Sequence, residues 1–377
     1  MITFRKAAYT GLAIAATGAV LAGCASAPTD DSTGGSTPAA SDFLPCMISD
    51  AGGFDDHSFN ELGKNGIDKA AKELNVDDPS YESKDDGDYE PNIQAALDKG
   101  CTLIITVGFN LSAATVTAAL ANPDIDFAIV DDAADNDFDG KTDAPNIKPL
   151  LFDTAQAAFL GGYVAASYTK TGIVGTFGGD TYPTVEIFMD GYAQGVDYYN
   201  QQKGKDVKVV GWDQTTQTGT FVGGEGAFAG GPEAKAKAQG IIDQGADVIL
   251  PVGGPDYQPT IAAIQESGKD IVIEGVDSDT YVIEADPKTG DASRLPFFLT
   301  SVQKKIDEAV YDTVIAAGKG QFDVTPYIGT LANDGVALAP FHDFQSKVDP
   351  SLQGELDSIK ADIISGKIKV KSYLASN

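Results

Sequence analysis

The sequence predicts an α/β protein of two lobes, each a doubly wound, mainly parallel sheet flanked by helices. Three observations carry that expectation. Strand-like apolar runs alternate with amphipathic helical stretches through most of the chain, the pattern of βαβ units. The runs number nine, at 43–49, 102–107, 126–131, 147–152, 172–177, 207–212, 248–252, 271–276 and 297–302, more than one such sheet needs. Two successive strands near Phe152-Asp153 are followed by a long helix and a fresh strand–helix alternation, which marks a second sheet. Helical patterns fall at 61–74, 93–99, 112–121, 156–169, 185–199, 232–244, 259–267 and 304–317. The segment 277–295 is polar, contains Pro287 and Gly290 and precedes Pro296, so it reads as a return crossing. Residues 42–153 with 296–318 are therefore expected to form the first lobe, and 154–295 with 319–377 the second. Lobes joined by crossings make a hinged cleft.

Ahead of the lobes, Arg5 and Lys6 precede an uncharged stretch from Ala7 to Ala22, which ends in Leu21-Ala22-Gly23-Cys24. At about 16 residues this run is short of the ~20 that span a bilayer as a helix. Residues 1–23 read as a signal peptide, and the small-residue site before Cys24 resembles a bacterial lipobox, with Cys24 lipidated. Residues 24–41 then form the lipidated cysteine and a flexible tether of Ser, Thr, Pro, Ala, Gly and Asp, too poor in apolar surface to fold. The expected location is the outer face of the cytoplasmic membrane, held by lipid alone. The remaining residues, in a chain that is 42% hydrophobic, suffice for two domains of about 150 residues each.

A formal net charge of −29 repels nucleic acid and anionic headgroups, so neither is an expected partner. Two histidines in the whole chain exclude an imidazole-rich metal site or a pair of histidine acid/base groups. Cys46 and Cys101 both lie early in strands that would be neighbours in a parallel sheet, and a disulfide between them is expected of an exported chain. Two buried free thiols are the alternative.

In open α/β sheets ligands meet the loops at the carboxyl ends of strands. The first such loop runs Ser49-Asp50-Ala51-Gly52-Gly53-Phe54-Asp55-Asp56-His57-Ser58-Phe59-Asn60-Glu61. Ser58 with Glu61 three residues on is a capping-box pattern, which starts the helix just after Ser58 and leaves Phe59 and Asn60 on its first turn beside the strand end.

From Asp50 to Asn60 this loop resembles the opening motif of the basic membrane protein family of ABC-importer binding lipoproteins, to which purine nucleoside receptors belong. Further matches follow in order: Gly108-Phe109, Phe127-Ala128-Ile129-Val130-Asp131, Gly175-Thr176-Phe177-Gly178-Gly179, Phe188 with Gly191 and Gly195, Gln244-Gly245-Ala246-Asp247-Val248-Ile249, Gly275-Val276-Asp277-Ser278-Asp279 and Thr300-Ser301-Val302-Gln303-Lys304. The resemblance covers 44–314 and implies a type I periplasmic binding protein fold. It also implies a small-molecule ligand, a nucleoside, delivered to ABC permease and ATPase subunits. The implied site stacks a base between Phe59 and Phe221, with polar contacts from Asp50, Asn60, Asp131, Asp277 and Lys304. Those residue types suit a sugar-bearing neutral ligand, because carboxylates accept from ribose hydroxyls, an amide suits a heterocycle edge and lysine only donates.

The chain departs from the family in the loop Gly219-Thr220-Phe221-Val222-Gly223-Gly224-Glu225-Gly226-Ala227-Phe228-Ala229-Gly230-Gly231, which is lengthened by glycines and makes Phe228 a rival to Phe221. Thr280 stands where the family commonly has Gln. Absence of G-x-x-x-x-G-K-[ST] and of a helix-opening G-x-G-x-x-G leaves no expected cofactor. Asp135, Asp137, Asp139 and Asp143 occupy positions 1, 3, 5 and 9 of a calcium-loop pattern with Gly140 at 6, but position 12 is Asn146; a solvated acidic loop is preferred to a weak calcium site. The chain is read as a monomeric binding protein and not an enzyme: no G-x-S-x-G elbow occurs, and paired carboxylates in so acidic a chain say little about a glycosidase. Capture of another neutral small molecule and ligand sensing at the surface share the fold and remain open.

Overall fold

The computed structural model describes residues 43–375; the signal peptide, Cys24 and the whole tether lie outside these residues. In chain order the first half comprises β1 (Pro45–Ile48), α1 (Phe59–Leu74), β2 (Ser80–Tyr81), α2 (Tyr89–Lys99), β3 (Leu103–Val107), α3 (Ser112–Ala121), β4 (Asp126–Val130) and β5 (Ile147–Phe152). There follow α4 (Ala155–Tyr168), β6 (Ile173–Gly178), α5 (Pro183–Lys203), β7 (Lys208–Val210), the hairpin β8 (Trp212–Asp213) and β9 (Thr218–Gly219), α6 (Pro232–Asp243), β10 (Val248–Val252), α7 (Tyr257–Ser267), β11 (Val272–Asp277) and α8 (Thr280–Glu284). The chain ends with β12 (Phe298–Lys304), α9 (Ile306–Gly318), β13 (Tyr327–Gly329), β14 (Val336–Leu338) and α10 (Leu352–Ile364).

Two six-stranded sheets form, ordered β13-β5-β4-β3-β1-β2 and β14-β12-β11-β10-β6-β7, parallel except for β14. Period-two alternation decides which face each side chain enters. In the first sheet Cys46, Ile48, Ile104, Phe127 and Ile129 pack with Ile93 and Ala96 of α2 and Val116 and Ala119 of α3. Their neighbours Met47, Leu103, Ile105 and Val107 join Ile67 of α1 and Val310 of α9 on the other face. The second sheet repeats the arrangement, with Phe177, Ile249, Ile273 and Phe298 against α6 and α7. Helices α4 and α5 touch through their backbones, since a Cβ at Gly162 or Gly195 would lie about 2 Å from the carbonyl oxygen of Tyr192 or Phe159.

Cys46 and Cys101 are joined by a disulfide, with Cα atoms 5.9 Å apart, which ties β1 to the start of its parallel neighbour β3. A closed loop of 55 residues removes unfolded-state entropy equivalent to about 4 kcal/mol in the chain-entropy picture.

The lobe boundaries expected from the sequence need correction. Strand 298–304 pairs in parallel with β11, so it belongs to the second sheet, and the polar segment before it is the crossover connection that parallel neighbours require. The return to the first lobe comes at Lys305: α9 packs on α1, and β13 adds to the edge of the first sheet beside β5. The chain crosses again between β13 and β14, so residues 327–329, expected in the second lobe, lie in the first. These crossings all lie beside β5 and β13 of one sheet and β12 and β14 of the other, which places the hinge along those edges.

One core group is out of keeping with its surroundings. Glu274, in the middle of β11, is fully buried and among the described residues neither carboxyl oxygen has a hydrogen-bond partner, nor does the hydroxyl of buried Tyr192. Burial drives the Glu274 carboxyl well above the ordinary glutamate value by penalising its charged form. A carboxyl raised by folding contributes stability below its unfolded value and loses it as pH rises through the folded one. Glu274→Gln should therefore match wild type most closely near pH 4 and melt progressively higher than wild type as pH rises toward 9. The gain should be roughly 2–4 °C for each kcal/mol of charge burial avoided. A melting difference that stays constant with pH, measured by calorimetry, contradicts this.

Candidate ligand-binding cleft

Between the carboxyl ends of the two sheets lies a cavity of about 270 Å³. The loop after β1 supplies its first wall. Helix α1 begins at Phe59, as the sequence predicts, but the Ser58 hydroxyl does not cap it. The Asp56 carboxylate does so instead, accepting from the backbone N–H groups of Ser58 (3.0 Å), Asn60 (2.8 Å) and Glu61 (3.1 Å). A charged acceptor makes the stronger bonds to these orphan donors. That frees the Ser58 hydroxyl to donate to Asp277 Oδ2 across the cleft at 3.3 Å.

Asn60 is committed inside its own lobe. Its amide nitrogen donates to Asp50 Oδ1 at 2.7 Å and Asp56 Oδ2 at 3.0 Å, and its oxygen accepts from the Asp50 N–H. Asn60 therefore orients Asp50, whose Oδ2 has no hydrogen-bond partner among the described residues. Burial raises the Asp50 carboxyl to about 6, against the lowering effect of the Gly52 N–H and Asn60.

Asp131 and Asp277 stand in equivalent places, at or just past the ends of β4 and β11, and both have left-handed backbones, with φ of 64° and 65°. That conformation is uncommon for a residue with a side chain and tolerated best by Asp and Asn. Lys304 ends β12 and reaches both, bonding Asp131 Oδ2 and lying 3.5 Å from Asp277 Oδ1. All three are almost wholly buried. Burial favours the neutral lysine, but the charges of Asp131 and then Asp277 outweigh it and hold the ammonium above its ordinary value. Burial also raises Asp131 to about 6 despite the pull of Lys304, since one cation cannot neutralise two carboxylates. The ammonium lies 5.3 Å from the Phe59 ring centre and 5.0 Å from that of Phe188.

Of the residues expected at the site, the structure brings Asp50, Phe59, Asn60, Asp131, Asp277 and Lys304 to this cavity and leaves Phe221 out. Backbone bonds run 220–223 alongside Gly178 and Gly179, extending the second sheet. This registers the Phe221 ring against Gly178 and edge-on to Trp212 at 6.4 Å. The glycine-rich insertion then turns the chain back so that Phe228 enters the cavity over Gly179, where a Cβ would lie 2.3 Å from the ring. Of the two phenylalanines, Phe228 is thus the one that lines the cavity.

Phe109, Thr184, Val185 and Phe188 also line the cavity, and the buried Thr184 hydroxyl has no partner among the described residues. Phe109 and Thr184 follow β3 and β6, so the rule that ligands meet the loops at strand carboxyl ends covers them too. Asp135, Asp137 and Asp143 bring carboxylate oxygens within 4.8 Å of one another, whereas Asp139 turns toward the backbone N–H and ammonium of Lys141. This acidic cluster, with Asp137 exposed and Asp135 and Asp143 half-buried, lies outside the cavity wall.

Two parallel-sheet lobes, with a polar floor and aromatic walls at their strand ends, have the architecture of the periplasmic binding proteins. A family profile described as "ABC transporter substrate-binding protein PnrA-like" matches residues 43–372, and the chain belongs to that family, Bmp. The "ABC transporter nucleoside-binding protein BmpA" of Lactococcus lactis is 28% identical over 98% of this chain and 99% of that protein. "Basic membrane protein A" of Borreliella burgdorferi is 29% identical over 85% and 86%. In fold, the chain is similar to an ABC transporter solute-binding protein from Aeropyrum pernix, with a TM-score of 0.74, 24% identity and coverage of 88% and 94%. A second likeness, to a solute-binding protein from Conexibacter woesei, has a TM-score of 0.64 at 19% identity, covering 88% of this chain and all of that one.

The exchange of Phe221 for Phe228 has a direct test. Phe228→Ala should weaken ligand binding by about 10-fold or more, as the loss of one stacking face does. Phe221→Ala should lower thermal stability and leave affinity within about threefold. Calorimetry on both variants checks this, and the opposite ranking contradicts it.

Proposed function

We propose that this protein captures a nucleoside in the cleft and delivers it to ABC permease and ATPase subunits for import. The observation that carries the reading is the Asp131–Lys304–Asp277 floor beneath the rings of Phe59, Phe109, Phe188 and Phe228. Two carboxylates share one ammonium, so acceptor capacity is left over for vicinal ribose hydroxyls, which donate to ionised oxygens in charge-assisted bonds. Aromatic faces accept the flat base, and the free Oδ2 of Asp50 faces its polar edge. The Lactococcus relative named as nucleoside-binding supports the same reading. No step of covalent chemistry is assigned to the cleft: the protein acts by binding and closing, and as a monomer.

Lipid anchoring at Cys24, on the outer face of the cytoplasmic membrane, belongs to the same proposal and rests on the n-region, apolar stretch and small-residue site. Cys24→Ala should move the protein from the membrane pellet to the soluble fraction; a variant that still pellets contradicts the anchor.

Calorimetric titration of adenosine, guanosine, inosine, cytidine and uridine tests the ligand class. At least one should bind with a Kd below about 100 μM, and its 2′-deoxy form should bind more weakly by roughly 1–3 kcal/mol. Asp277→Asn should shrink that ribose preference, whereas Phe59→Ala should weaken every nucleoside. No binding across the panel overturns the nucleoside and leaves the solute-binding fold in place.

A further inference from the structure

Tyr182 lies outside the cavity wall yet holds two residues of that wall from across the cleft. It is the last residue before α5 in the second lobe, and its ring lies on that of Phe109 in the first lobe, with centroids 3.9 Å apart and planes at 33°. Its hydroxyl donates to Asn110 Oδ1 at 3.2 Å. Phe109 also meets Phe228 edge-on at 6.0 Å, so three rings from two lobes close one rim of the cleft. The Tyr182 carbonyl accepts from Val185 and Glu186, each at 2.9 Å, which ties the latch to the turn that presents Thr184 and Val185 to the cavity.

We infer that Tyr182 is a positioning residue, a cross-cleft latch that holds Phe109 and Asn110 in the cavity wall and sets how fast the ligand leaves. Its location gives it leverage. The crossings run along β5 and β13 of one sheet and β12 and β14 of the other, and β6, which leads to Tyr182, is the third strand from β12. At about 4.8 Å per strand that is roughly 14 Å from the hinge edge. Rotation about a hinge separates points in proportion to their distance from it, so opening the cleft strains this rim before it strains Lys304 beside the crossing. Because the contact is between protein groups, it acts on the empty cleft as well as on the filled one, and it is independent of the ligand's identity.

The test pairs Tyr182→Ala with Tyr182→Phe, which keeps the ring and removes only the hydroxyl. In small-angle X-ray scattering of the ligand-free protein, Tyr182→Ala should have a larger radius of gyration than wild type, with Tyr182→Phe close to wild type. In stopped-flow experiments with the nucleoside that binds wild type best, Tyr182→Ala should release about three- to tenfold faster, while association changes by less than about twofold. Should Tyr182→Ala fail to fold, Tyr182→Leu takes its place and the same differences are expected. Superimposable scattering curves, or a release rate equal to that of wild type, would make Tyr182 an ordinary surface aromatic and overturn the inference. If no nucleoside binds wild type, the nucleoside reading fails by itself and the scattering comparison alone decides the latch.

Discussion

One buried ammonium, on Lys304, sits between carboxylates of opposite lobes, Asp131 and Asp277. An isolated buried charge costs several kcal/mol, and removing one partner from such a cluster costs about as much because the other charges are left uncompensated. The cluster therefore couples the lobes: separating them strands Asp131 on one side and Lys304 with Asp277 on the other. It also explains why Lys304 ends a strand of the second sheet immediately before the chain crosses to the first. A charge placed beside the crossing can reach both lobes without a long, mobile side-chain excursion.

Around this cluster the two sheets use the same device twice. Each ends a central strand in an aspartate with left-handed backbone, which turns the chain sharply enough to aim a carboxylate back into the cleft. The aromatic lining is less symmetric. Phe59 follows from a helix start fixed by Asp56, Phe188 comes from inside α5, and Phe228 comes from a glycine-rich insertion seated on Gly179. A floor of fixed charges under walls supplied by separate loops lets one fold keep its polar recognition while the shape of the aromatic slot varies.

Much of this was legible in the sequence because the strands are buried on both faces and appear as uninterrupted apolar runs. The run 147–152 matches β5 and 248–252 matches β10 residue for residue, and the helical period at 112–121 matches α3. The short edge strands β2, β13 and β14 were not legible, since two or three residues carry no periodicity and their pairing is set by tertiary contact. The misplaced lobe boundary has a similar origin: a polar segment with prolines reads equally well as a lobe crossing or as a βαβ connection, and only strand pairing separates them. At the site, the family resemblance pointed to Asp50, Asp131, Asp277 and Lys304, which the structure has at or just past strand ends lining the cavity. The choice between Phe221 and Phe228 depended on backbone pairing of 220–223 with Gly178 and Gly179, for which the sequence carries no local signal. The capping role of Asp56 was hidden for the same reason, because Ser58 and Glu61 satisfy the familiar pattern while the carboxylate two residues earlier competes for the same N–H groups.

Lys304→Met tests the charge-cluster account most directly, since it keeps the length and apolar contacts of the side chain and removes the ammonium. Calorimetry with the tightest-binding nucleoside should show at least a 100-fold loss of affinity, on the order of 3 kcal/mol, the scale of breaking a buried charge pair. Adding Asp131→Asn should then recover part of that loss by removing a stranded carboxylate. Wild-type affinity in Lys304→Met, or a double variant that loses the sum of the two single effects, would contradict it.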